Sequence, residues 1–181
     1  ILNSPNAPGI SVIAPAFNEG LSIIDNVRSL MTLNYAKFEV IIVNDGSTDD
    51  TLEKLIHEFD LVKVDFDYQE KIVTKPVKQL FRSTNPAYSK LIVVDKVNGK
   101  SKADASNAGI NASSFPLFLC TDVDCIIEKN TLLHMVKPFM EEKIRVIATG
   151  ATIRIANSCE VEEGVLLKVK TPKKLIPRFQ E

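Results

Sequence analysis

The sequence predicts an α/β fold in which a mostly parallel sheet is flanked by helices. Three observations carry this expectation. From Ile10 to Phe59 strand-like and helix-like runs alternate, the pattern of right-handed parallel crossovers. The strand-like runs at 38–43, 91–94 and 117–119 are short and nearly continuously apolar, as strands covered on both faces are. Each then breaks into small, amide or acidic residues. At the carboxyl ends of parallel strands such loops open into the crevice where open α/β folds hold their ligands.

Taken in order, Gly9 to Ala14 is a β-rich run that ends at Pro15, which has no N–H to donate to a sheet. From Leu21 to Leu33 the apolar residues Ile23, Val27 and Leu30 recur at helical spacing. Phe38 to Val43 is the second strand and enters Asn44-Asp45-Gly46-Ser47-Thr48-Asp49-Asp50, where Ser47 or Asp49 is expected to cap a helix buried through Leu52, Leu55, Ile56 and Phe59. Leu61 to Tyr68 reads as a short third strand. Gln69 to Ala87 is too mixed to assign, with Pro76 and Pro86 as breakers. Leu91 to Asp95 is a clear strand. Ser101 is expected to cap a helix from Lys102 to Ala112, with Asp104 completing a capping box. Leu117 to Leu119 reads as a buried central strand. A helix from about Asn130 follows, with Pro138 expected to kink or end it, and Val146 to Ile155 is expected to supply one or two more strands broken at Gly150.

Composition narrows the function classes. The chain has 181 residues, 45% hydrophobic and 25% charged, which suits one globular domain with a real core. No window approaches the ~20 apolar residues of a membrane span. The net charge of −1 gives no general attraction to nucleic acid, so no nucleic-acid partner is expected. Three cysteines without paired metal spacing point to a reduced, cytosolic compartment and away from zinc. The chain begins at Ile1 and ends in a charged segment, and it is expected to be a piece of a longer protein.

The chemistry concentrates where Phe118-Leu119-Cys120 runs into Thr121-Asp122-Val123-Asp124. Two carboxylates one residue apart repel each other unless a cation or donor lies between them, and hard divalent cations take such oxygens together with substrate phosphates. The same residues also fit a plain turn after a strand. Other signals fall away. Gly99-Lys100-Ser101 lies where a phosphate-binding P-loop would end, but that motif needs glycine at position 94, which is Val94. No two of the seven glycines are two residues apart, which excludes the dinucleotide fingerprint. His57 and His134 sit on predicted helices without a Ser or Cys nucleophile beside them and read as surface or half-buried residues.

Four motifs taken together carry a resemblance: Ser11-Val12-Ile13-Ala14-Pro15-Ala16-Phe17-Asn18-Glu19, Val43-Asn44-Asp45-Gly46-Ser47-Thr48-Asp49-Asp50-Thr51, Lys102-Ala103-Asp104-Ala105-Ser106-Asn107-Ala108-Gly109-Ile110 and Asp122-Val123-Asp124. In order and spacing, over residues 10 to 157, they resemble the family 2 inverting glycosyltransferases. The resemblance implies a GT-A-type, Rossmann-like fold that holds a sugar nucleotide through a divalent metal, magnesium or manganese. It implies that Pro15, Ala16 and Glu19 line the nucleoside pocket, that Asp45 accepts a hydrogen bond from a base such as uracil, and that Lys102 and Asn107 lie beside the ribose and diphosphate. Asp122 would approach the ribose or donor sugar, and with Asp124 it would form the metal site.

The implied donor is a UDP-sugar and the implied acceptor a saccharide or lipid-linked acceptor. Residues 1–157 are expected to form the nucleotide-sugar-binding domain and 158–181 the start of an acceptor-side region, cut before the acceptor-binding half is complete. In the family the catalytic base is a carboxylate well downstream of the D-x-D, and nothing up to Glu181 matches it; Glu160, Glu162 and Glu163 read as a solvated face. Donor binding without transfer is therefore expected of these residues. A non-catalytic nucleotide-sugar-binding module is the alternative. Ser106, where many relatives carry Leu, departs from the pattern. The segment from Val165 to Phe179, basic and apolar but interrupted by Pro172 and Pro177, looks like the lead into the acceptor region of membrane-bound polysaccharide synthases. That likeness places the parent at the cytoplasmic face of a membrane, held by parts outside these residues.

Overall fold

The computed structural model describes residues 7–65, 68, 70–141, 145–153, 159–162 and 165–168. Its elements are β1 (Ile10–Ala16), α1 (Ile23–Met31), β2 (Phe38–Asn44), α2 (Thr51–Glu58), β3 (Leu61–Val64), β4 (Val77–Ser83), β5 (Leu91–Lys96), α3 (Lys102–Asn111), β6 (Leu117–Cys120), α4 (Thr131–Glu141), β7 (Glu160–Glu162) and β8 (Val165–Lys168). Six strands form one sheet in the order β3-β4-β5-β2-β1-β6, and β7 and β8 pair antiparallel by themselves. The four strands β5, β2, β1 and β6 are parallel, in register through Val40 opposite Leu91, Ile10 opposite Phe38 and Ile10 opposite Leu117. The expected α/β fold with a mostly parallel sheet is thus present.

Strand alternation divides the core into two layers. Val12 and Ala14, Val40 and Ile42, and Leu91 and Val93 face the side packed by Ile23, Val27 and Leu30 of α1, Leu55 of α2 and Leu132 and Val136 of α4. Ile13, Ile41, Val43, Ile92 and Val94 face the other side, under Ala105 and Ala108 of α3 and Ala112 at its C-cap. Full burial of a Val, Leu or Ile side chain is worth about 1.5–3 kcal/mol, so these central strands dominate the hydrophobic stabilisation. The buried stripe of α3 consists of small residues, which lets the helix lie close to the sheet. A Cβ added at Gly109 would stand 2.3 Å from Ile13 Cγ2.

The structure corrects several local expectations. The strand 117–120 is not central. Among the described residues β6 pairs only with β1, at the sheet edge, and Phe118 is 54% exposed rather than buried. The strand expected over Val146 to Ile155 is not formed in 145–153, where Ile147 and Ile153 are almost fully exposed, and 154–158 lie outside the described residues. The unassigned stretch 69–87 contains β4 and the start of a 3-10 turn at Pro86–Tyr88. β4 runs antiparallel to both β3 and β5, half-buried, so its polar alternation conceals it in sequence. The third strand stops at Val64, short of Tyr68. Asp50, not Ser47 or Asp49, occupies the N-cap position of α2. Ser101 occupies that of α3 without a side-chain cap bond, and no capping box forms because Asp104 is engaged elsewhere. Pro138 does not end α4, which continues to Glu141. His57 and His134 are exposed, as expected. Of the terminal segment, only Val165–Lys168 is described, as β8; Glu163 also lies outside the described residues.

Candidate functional site

The loop after β1 and the loop after β2 are joined by side chains. Asn18, at φ 56 in the left-handed region that Asn tolerates, accepts Thr48 N–H on its Oδ1 at 2.8 Å, and its own N–H donates to Ser47 Oγ at 3.0 Å. Glu19 N–H donates to Thr51 Oγ1 at 2.9 Å and Gly20 N–H to Asp49 Oδ2 at 3.0 Å, while Lys54 Nζ donates to Gly20 O at 2.6 Å. Asp49 Oδ1 accepts from Thr51 Oγ1 at 2.5 Å and Thr51 N at 3.0 Å. The Thr51 hydroxyl, with the Gly20 and Thr51 amides, holds the Asp49 carboxyl below the ordinary range. The polar run 44–51 therefore braces its neighbour as well as starting a helix.

Asp45, at the carboxyl end of β2, is buried and anchored through one oxygen. Its Oδ1 accepts from Lys96 Nζ at 2.8 Å and from Gly99 N–H at 3.0 Å. Lys96 is fully buried, and its ammonium also donates to Asp104 Oδ2 at 2.5 Å and Val97 O at 2.7 Å. An ammonium has three donors, and all three are used. Burial alone would lower the Lys96 pKa, but the hydrogen bonds to Asp104 and Asp45 and their charges outweigh it and raise the value. Burial would raise that of Asp104; the Lys96 bond, the Lys75 amide and the nearby positive charges lower it instead. Gly46 at φ +66 is required here, because a Cβ would come within 2.8 Å of Asn98 N.

Beside Asp45 lies a cleft of about 530 Å³ lined by Pro15, Ala16, Phe17, Asp45, Asn98, Lys100, Ser101, Lys102 and Ala105. At its rim Lys102, the first residue of α3, pairs with Asp122 across from the turn after β6. That turn is held by Thr121 N–H donating to Ile13 O at 3.0 Å and by the buried side chain of Val123, leaving Asp122 and Asp124 exposed on either side. Carboxylate oxygens of Asp122 and Asp124 and Sγ of Cys125 lie within 4.8 Å of one another. The two carboxylates fit a hard divalent cation such as magnesium or manganese, which prefers oxygen and leaves the softer thiol aside.

Of the residues singled out in the sequence, Pro15, Ala16, Asp45 and Lys102 thus share one cleft, and Asp122 meets it through Lys102. Glu19 and Asn107 are half-buried and are not among the residues lining it. Glu19 Oε2 accepts from Ser22 Oγ at 3.1 Å, at the start of α1. Sequence reasoning missed Phe17, a half-exposed ring in the cleft wall, and Lys96. An aromatic residue inside a polar loop was the available signal for Phe17. Lys96 offered none, since a lysine ending a strand reads as exposed.

Comparison with known proteins bears on the family and the fold. The model of the family described as glycosyl transferase family 2 matches residues 11–162. The poly-beta-1,6-N-acetyl-D-glucosamine synthase of Staphylococcus aureus (strain COL) is 28% identical over 170 residues, 94% of this chain and 34% of that protein. The chain therefore spans about a third of the length of the curated relatives it matches. Among solved structures, the mannosyltransferase PcManGT from Pyrobaculum calidifontis, in complex with GDP-Man and Mn2+, superposes with a TM-score of 0.57 at 22% identity, covering 77% of this chain and 34% of that one. S. aureus TarS 1-349 in complex with UDP-GlcNAc gives 0.52 at 22% identity, covering 74% and 31%. These likenesses identify the fold as that of GT-A glycosyltransferases, and with the family match over most of its length the chain belongs to glycosyl transferase family 2.

Proposed function

We propose that these residues form the nucleotide-sugar-binding part of a glycosyltransferase that takes a UDP-sugar donor with a divalent metal and serves a polysaccharide or glycoconjugate acceptor. The observation that carries the reading is the cleft at the carboxyl ends of β1, β2 and β5, with a carboxylate pair after β6 at its rim. Asp45 accepts the uracil N3–H on Oδ2, since Oδ1 already holds two protein donors. Phe17 offers its ring to the base, and Pro15 and Ala16 form the wall beside the nucleoside. Glu19 would serve the ribose or base and Asn107 the ribose and diphosphate, on the family resemblance, since neither lines the cleft. Lys102 leaves Asp122 to meet the diphosphate, and Asp122 then turns to the ribose or donor sugar. Asp122 and Asp124 would hold the cation, which supplies charge neutralisation to the departing nucleoside diphosphate.

The reaction of the whole protein would be direct displacement at the anomeric carbon by an acceptor hydroxyl, whose proton goes to a carboxylate outside these residues. Residues 1–157 would hold the donor and 158–181 would lead toward the acceptor side. No helix among the described residues is long and apolar enough to cross a membrane. A position at the cytoplasmic face would therefore rest on other parts of the protein. Calorimetry with UDP, GDP and CDP, each with and without manganese, tests the reading. Metal-dependent binding with a preference for UDP is expected; a GDP preference would reassign the base, and binding indifferent to metal would remove the role of Asp124.

A further inference from the structure

We propose that Lys96 is a specificity-determining positioning residue, which holds Asp45 in place as a hydrogen-bond acceptor and so restricts the cleft to bases that present a ring N–H. The proposal rests on the nucleotide reading above and adds to it a residue that never touches the ligand. Lys96 has no exposed surface, and its three donors are consumed by Asp45 Oδ1, Asp104 Oδ2 and Val97 O at 2.8, 2.5 and 2.7 Å. The ammonium has no capacity left for a phosphate or sugar. What it does is fix the orientation of Asp45.

An ionised carboxylate only accepts, whereas a protonated one also donates. Uracil presents N3–H to such an acceptor, while cytosine presents a bare N3 that a carboxylate oxygen repels. Lys96 Nζ and Gly99 N–H together fix Oδ1 and leave Oδ2 as the one oxygen free to accept, so without the lysine that acceptor is no longer held in one orientation. The other charged groups around it do not replace Lys96. Asp104 on α3 reaches it only through the same ammonium, Asp95 on β5 pairs with Asn44 and Lys78, and Lys100 and Lys102 stand at the cleft wall. Lys96 also ties Asp45 to α3 through Asp104. The group that would read the base and the helix that carries Lys102 thus share one buried cation.

The test is to compare binding of UDP and CDP, with manganese, to the wild-type chain and to Lys96→Met, with circular dichroism confirming the fold. Wild type is expected to prefer UDP. Lys96→Met is expected to weaken UDP by about tenfold or more while changing CDP little, because a site built around one hydrogen-bond pattern loses discrimination when that pattern is lost. A role in folding alone would weaken both nucleotides in parallel. Should Lys96→Met fail to fold, Lys96→Met with Asp104→Asn removes opposite charges together and is read the same way. A folded variant that keeps the wild-type ratio of UDP to CDP affinity overturns the proposal. Wild-type protein that binds the two nucleotides alike overturns the nucleotide reading itself, and the role of Lys96 with it.

Discussion

Lys102 Nζ, at the first turn of α3, forms an ion pair with Asp122 in the turn after β6, so the cation and one carboxylate of the candidate site neutralise each other across the cleft rim. Both side chains are more than half exposed. A pair of this kind contributes only ~0–1 kcal/mol to folding. Lys102→Ala is accordingly expected to leave thermal stability almost unchanged. Manganese affinity without nucleotide should rise, because Asp122 is released, while UDP affinity falls. Calorimetry with manganese alone and with manganese and UDP checks the two opposite signs; a fall in both would mean that Lys102 only supports the fold.

Asp124→Ala is expected to abolish metal-dependent UDP binding in a folded protein. Asp50→Ala serves as the contrast. Asp50 is at the N-cap of α2 but makes no side-chain cap bond, and its ion pair with Lys54 at 3.0 Å is exposed. Its loss should cost about 0.5 kcal/mol or less, measured by urea unfolding, with ligand affinity retained. Equal loss of ligand in both folded variants would sink the assignment of the metal site.

The seam between the first two loops predicts a backbone effect at Asn18. Asn18→Ala removes the bond to Thr48 N–H and places a Cβ-bearing residue without a local hydrogen bond at φ 56, for a combined cost of about 1–3 kcal/mol. Asn18→Gly keeps the conformation and loses only the bond, so it should be the milder variant by urea unfolding. The reverse order would show that conformation is not what selects Asn here.

The buried charges predict the pH dependence of stability. Asp104 is held below its ordinary pKa of 3.8, so its contribution is present above that value and is lost as pH falls through the folded pKa. Lys96 is raised above its ordinary 10.5, so its contribution is complete below that value and is lost as pH rises through the folded pKa. Between these limits the pair should add no slope. Urea unfolding at a series of pH values is expected to show that Asp104→Asn is less stable than wild type at neutrality, with a difference that narrows below pH 3.8. A difference unchanged in acid would mean that the Asp104 charge does not matter.

Local pattern was enough to establish the parallel core. The apolar runs of β1, β2 and β5 and the helical stripes of α1 and α2 are contiguous in sequence, and burial on both faces leaves such runs no alternative partner. The stretches carrying Pro15, Asp45 and Asp122 were legible too, because each lies at or just past the carboxyl end of a strand, although β1 runs through Pro15 to Ala16 rather than ending there, and Lys102 because it opens the helix after β5. What only the tertiary structure decided involves partners distant in the chain. The half-buried β4 acquires its place from pairing with β3 and β5, and β6 stands at the edge because no described strand covers its far side. Asp104 became the partner of Lys96 rather than of its own helix terminus, and Lys96 became buried rather than exposed. Periodicity records which face of an element is apolar. It does not record which carboxylates will meet around one ammonium, since a buried lysine and an exposed one are the same letter until the fold brings Asp45 and Asp104 to it.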